Sequence, residues 1–95
     1  MPEIYFRILW PDAAETDHYS PSQVVKDYFA LGQQLEVAKF LELIRMALSI
    51  ASDRVEAKYG FPCSRAAGSL REIEHLARPF LLDSGAAVSV VEFSP

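Results

Sequence analysis

Ninety-five residues, 51% hydrophobic and 23% charged, make one globular domain (1–95) with core enough to fold without disulfide or metal staples. A formal net charge of −4 argues against a nucleic-acid partner, since phosphate binding takes a concentrated basic face, and Asp53, Glu56, Glu72 and Glu74 interrupt Arg54, Lys58, Arg65, Arg71 and Arg78. One cysteine cannot form an internal disulfide, and no apolar run approaches the ~20 residues of a membrane span, so a cytoplasmic protein with no membrane partner is expected.

Residues 3–10 alternate, with Ile4, Phe6, Ile8 and Trp10 on one face and Tyr5, Arg7 and Leu9 on the other. This period of two predicts a strand with one face in the core, and Trp10 closes that core. Pro11 and Asp12 suit a turn, Pro by presetting φ and Asp by bonding its own downstream backbone. A polar return strand over 15–19 completes a hairpin and forms an edge.

Ser20-Pro21-Ser22-Gln23 reads as a helix start, with Ser20 as cap and Gln23 at the capping-box position. A short helix to about Phe29 follows, and Gly32 stops it. The long helix is predicted from Val37 to Tyr59. Its apolar positions fall on two faces, Val37, Phe40, Leu41, Ile44, Leu48, Ala51 and Val55 on one, Leu43, Met46 and Ile50 on the other. A small sheet covers only one of these. The second must meet neighbouring helices, a second subunit or both, and it predicts a homodimer through the long helix.

Gly60 ends that helix, and Phe61 and Pro62 are expected to re-enter the interior. Ser64 caps a third helix whose stripe is Ala67, Leu70, Ile73, Leu76 and Ala77, and Pro79 ends it. Asp83-Ser84-Gly85 turns into a last strand, 86–93. There Val88 and Val90 face one way and Val91 and Phe93 the other, as in a strand covered on both sides. The predicted order is ββαααβ. It gives a two-layer α+β fold, with a mostly antiparallel three-stranded sheet in order 2-1-3 and all helices on one face.

Cys63 stands where helix amides favour a thiolate, with Arg65 close by, yet a free cysteine most often packs as a small buried hydrophobe. Arg54, Lys58 and Tyr59 precede it and complete a candidate ligand-binding group. A separate anion site is available at Ser20 and Ser22 with Lys26. His18 and His75 are the only histidines, and neither pairs with another residue at metal-ligand spacing. His18 could reach Cys63 only through the tertiary fold, and His75 reads as a surface residue. No glycine-rich phosphate loop, catalytic constellation, metal site or cofactor motif is recognised.

Several short stretches together resemble one family. They are Trp10-Pro11-Asp12, Tyr19-Ser20-Pro21-Ser22 with Val24-Val25-Lys26 and Tyr28-Phe29, then Ala47-Leu48 and Ala51-Ser52-Asp53-Arg54-Val55. Ala57-Lys58-Tyr59-Gly60-Phe61 and Cys63-Ser64 followed by Ala66 complete the series. The chain is similar to a small bacterial nitrogen starvation response family, typically encoded beside a nitrilase in a nitrile or cyanide assimilation cluster. Ala13-Ala14 stands where that family usually has glycine, which implies a longer or looser hairpin turn. Pro62 replaces a small residue before the cysteine. The resemblance implies a non-enzymatic accessory or regulatory protein that binds a partner or small ligand, with proteins of the same cluster as candidate partners. The alternative is a small enzyme or enzyme subunit with Cys63 as nucleophile.

Overall fold

The computed structural model describes residues 3–95. Strand β1 (Ile4–Leu9) turns into β2 (Glu15–Ser20) as an antiparallel hairpin with Ile4 opposite Ser20 and Leu9 opposite Glu15. The one-turn helix α1 (Val25–Tyr28) and a two-residue strand β3 (Leu35–Glu36) lead into the long α2 (Val37–Tyr59). Helix α3 (Ser64–Ala77) runs into a 3₁₀ turn (Arg78–Phe80), and β4 (Ala87–Ser94) closes the chain. The class is α+β, as the periodicities predict.

The sheet has four strands in order β2-β1-β4-β3, all neighbours antiparallel, rather than three. The last strand does pair beside the first, as expected. Strand β3 adds an outer edge because Leu35 pairs with Val88 and Glu36 with Ala87. Two residues are too short to display a period, so nothing local marks them as strand.

Strand β4 is not covered on both sides by strict alternation. Arg7 faces Glu92 but Ile8 faces Val90, so Val91 is an extra residue in a bulge. A bulge resets the side-chain phase. Val88, Val90 and Phe93 therefore all meet the helices, packing with Phe6, Ile8, Phe40 and Ile44 in one core.

Helix α2 has the predicted bounds. Gly60 ends it at φ 89°, its N–H donating to the Glu56 carbonyl at 2.8 Å. Val37, Phe40, Leu41, Ile44, Leu48 and Ala51 are buried on its sheet-facing side. On the second face, Leu43 packs partly against the core and Ile50 is half-buried, while Met46 is exposed. In α3 the buried positions are Ala66, Ile73 and Ala77, with Leu70 half-buried and Ala67 exposed.

Four local expectations are corrected. Ser20 is the last residue of β2, not a helix cap: its hydroxyl donates to the Ser22 carbonyl at 2.7 Å, and α1 starts at Val25 without a side-chain cap. Cys63, not Ser64, holds the cap position of α3. Phe61 and Pro62 stay on the surface, Phe61 at 65% exposure. Arg78 keeps helical φ and ψ despite the following proline, because Pro79 enters the 3₁₀ turn, where its missing N–H costs nothing.

The hairpin turn is tight, not loose. The Ala13 N–H donates to the Trp10 carbonyl at 3.0 Å and the Trp10 N–H to the Ala14 carbonyl at 2.8 Å, while Asp12 Oδ1 accepts from the Ala14 N–H at 3.1 Å. This pattern, a turn closed by a left-handed residue, is the three-residue hairpin loop with a bulge. Ala13 fills the left-handed position at φ 70°. Its Cβ makes that conformation unfavourable, and glycine would occupy it freely. Ala13→Gly is expected to raise stability by about 0.5–1 kcal/mol, net of glycine's greater chain entropy, read as a higher urea midpoint. A lower midpoint would contradict this account of the turn.

Candidate functional site

Alternation along β2 puts Thr16 and His18 on one face of the sheet, the same face as their cross-strand partners Ile8 and Phe6. His18 is buried, at 3% exposure, and tilts against Phe6 at 5.8 Å between ring centroids. Its Nε2 is 2.6 Å from Thr16 Oγ1, and its Nδ1 faces Glu72 Oε1 of α3 at 3.1 Å. Trp10 Nε1 donates to the same Thr16 oxygen at 2.8 Å.

An ionised carboxylate only accepts, so His18 Nδ1–H donates to Glu72 and Nε2 takes the Thr16 hydroxyl proton, while the Thr16 oxygen accepts from the Trp10 indole N–H. The proton of the neutral imidazole then sits on Nδ1, toward Glu72. The result is a chain Trp10–Thr16–His18–Glu72 that ties the hairpin to α3. Burial pushes His18 below its ordinary imidazole value, against the upward pull of Glu72 and Asp17.

Beside this chain lies a pocket of ≈ 220 Å³ between the hairpin turn and the end of α3. Trp10, Thr16, Leu76 and Phe80 line it, with Asp12 and His75 at its polar positions. The Trp10 and Phe80 rings lie nearly parallel, 6.3 Å between centroids and 18° between planes, and Trp10 meets Phe40 edge-on at 6.1 Å. Trp10 thus closes the core, as predicted, and also shows an edge to the pocket.

The residues singled out in the sequence do not form one site. Arg54 Nη1 donates to Ser22 Oγ at 2.9 Å, so the long helix is tied to the segment after β2. Ser20 and Ser22 are buried, and their hydroxyls serve the local turns. Lys26 lies elsewhere, with Nζ 5.9 Å from the centroid of the Phe93 ring. Lys58 and Tyr59 are exposed at the end of α2, with Lys58 Nζ 5.4 Å from the Tyr59 ring.

Cys63 is half-buried, and its N–H donates to Ser52 Oγ at 3.3 Å. Arg65, expected to support a thiolate, lays its guanidinium 3.7 Å over the Tyr19 ring and donates to the Tyr5 hydroxyl at 3.2 Å. The Tyr19 hydroxyl is pushed up to about 12, first by burial, then by its bond to Glu3, with smaller contributions from the charges of Glu3 and Cys63. Among the described residues, no group of three His, Cys, Asp or Glu side chains stands close enough to hold a metal ion. Likewise no described helix is long and apolar enough to cross a membrane.

Sequence reasoning missed the Thr16–His18–Glu72 chain. The available signal was Thr16 and His18 two apart on a strand, hence on one face. Glu72 comes from a distant helix, and no spacing reports that approach.

No curated protein and no solved structure matches the chain. The family model of the nitrogen starvation-induced protein NitG matches residues 5–93, a span that runs from the first strand through the last and includes both the Trp10-Pro11-Asp12 turn and Cys63. The chain belongs to the NitG family of nitrogen starvation-induced proteins.

Proposed function

We propose that this protein is a non-enzymatic accessory or regulatory component of nitrile metabolism in nitrogen-starved cells, working with products of a nitrilase gene cluster. In this reading it acts by binding, and the pocket beside Trp10 takes a small ligand. The supporting observation is the pocket itself: an aromatic and aliphatic wall with a few polar groups is the usual make-up of a small-molecule site. Two of the three residues in the Trp10-Pro11-Asp12 stretch line it. Thr16, His18 and Glu72 follow the order of a nucleophile, a base and an orienting acid, but the Thr16 oxygen already accepts the Trp10 indole N–H, which draws its electron density away from attack, so binding is the favoured reading.

Trp10 is the only tryptophan, so its fluorescence reads occupancy of the pocket directly. Titration with small amines, amides and nitriles is expected to give saturable changes in Trp10 emission, with a matching rise in melting temperature. If no compound saturates below about 10 mM, the pocket reading fails. A homodimer through α2 belongs to the same proposal and rests on exposed Met46 beside half-buried Leu43 and Ile50. Light scattering that returns the 10.6 kDa monomer at every concentration would remove it.

A further inference from the structure

The polar groups around the pocket are unequally free. Trp10 Nε1–H is committed to Thr16. The Thr16 hydroxyl proton goes to His18. Among the described residues no lysine or arginine lines the cavity. What remains is mainly acceptor and π character: the exposed Asp12 carboxylate, whose Oδ1 accepts from Ala14, and the rings of Trp10 and Phe80, with the His75 imidazole able to accept at one nitrogen and donate at the other. A carboxylate beside aromatic faces attracts a positive charge and repels a negative one.

We infer that the pocket binds a small organic cation, an ammonium group on a short apolar body, with the charge at Asp12 and the body against Trp10, Leu76 and Phe80. This rests on the proposed binding role of the same pocket. The volume gives the scale of the part of the ligand that the cleft encloses. Liquid water occupies about 30 Å³ per molecule, so the cavity holds roughly seven waters, or a ligand of about that many heavy atoms.

The test compares three probes with similar bodies: n-butylammonium, n-butanol and butyrate, titrated into the intact protein and read by Trp10 emission and calorimetry. n-Butylammonium is expected to bind about fivefold or more tightly than n-butanol, with butyrate weakest. Asp12→Asn keeps an acceptor for the Ala14 N–H, so it should melt like the parent while losing about three- to fivefold in affinity for the cation. Asp53→Asn, an exposed carboxylate outside this pocket, should leave that affinity unchanged.

Equal binding of n-butanol, or preference for butyrate, overturns the cation assignment and leaves the pocket reading intact. An equal loss in Asp53→Asn also overturns it, by showing that net negative charge alone draws the probe. If none of the three binds, the cation assignment falls, and the pocket reading is decided by the amine, amide and nitrile series.

Discussion

Phe40→Ala is expected to cost about 3–5 kcal/mol of folding stability, the largest effect of any single change considered, measured by urea denaturation. Phe40 has no exposed surface and stands where three elements converge. Its ring meets Phe29 at 5.2 Å and Trp10 at 6.1 Å, so truncation leaves both aromatics facing a void. The cost has two parts, lost burial and the cavity that remains. Ile44→Ala, one turn further along the same buried face, should cost about 2–5 kcal/mol for the same reason. Met46→Ala supplies the contrast, because Met46 is 48% exposed and its loss should stay near 0.5 kcal/mol at low protein concentration. If Met46→Ala proves as costly as Phe40→Ala, the facing of α2 is wrong.

That contrast marks how far the chain can be read without coordinates. The bounds of α2 were legible because a 23-residue stripe with a terminal glycine repeats its signal many times. The β1–β2 hairpin was legible for the same reason, its alternation being clean from Ile4 to Trp10. Expectations failed where the deciding partner lay elsewhere in the chain. Strand β3 exists only because β4 offers Leu35 and Glu36 an open edge. Ser20 has the chemistry of a cap, but pairing with Ile4 keeps it in β2. One bulge at Val91 undid the face assignment of Phe93.

The candidate site divides the same way. The position of Cys63 before a helix is legible in the sequence, and it holds the cap position of α3. The expected companion did not arrive, since the aromatic pair Tyr5 and Tyr19 takes the Arg65 guanidinium. His18 was visible as one of two histidines, but its burial and its contact with Glu72 follow from the crossing of α3 over β2. The Trp10-Pro11-Asp12 stretch is one of several that carry the family resemblance, and nothing in it marks the pocket that Trp10 and Asp12 line.

Acidification is expected to destabilise the protein through His18. Burial outweighs the opposing pull of Glu72 and Asp17, so the folded imidazole titrates below the unfolded value of about 6.5. As pH falls past 6.5 the unfolded chain takes up the proton first, and folding becomes less favourable. The His18 contribution is thus whole above about pH 6.5 and is lost as pH falls through the folded value, with a slope of at most about 1.4 kcal/mol per pH unit. Asp17, held down by Arg7, titrates below its usual carboxylate range and does not contribute to the loss above pH 5. His18→Gln should lower stability at pH 7.5 by about 1–3 kcal/mol, because Thr16 and Glu72 lose their shared partner. The same change should flatten the curve between pH 7 and 5. His75→Gln, on the exposed side of α3, should leave the slope intact. Protonated His18 has no acceptor nitrogen for the Thr16 hydroxyl, so the loss reaches the pocket wall as well as the core. Urea midpoints of the three proteins across that range decide it, and a slope that survives in His18→Gln but vanishes in His75→Gln would assign the titration to the wrong histidine.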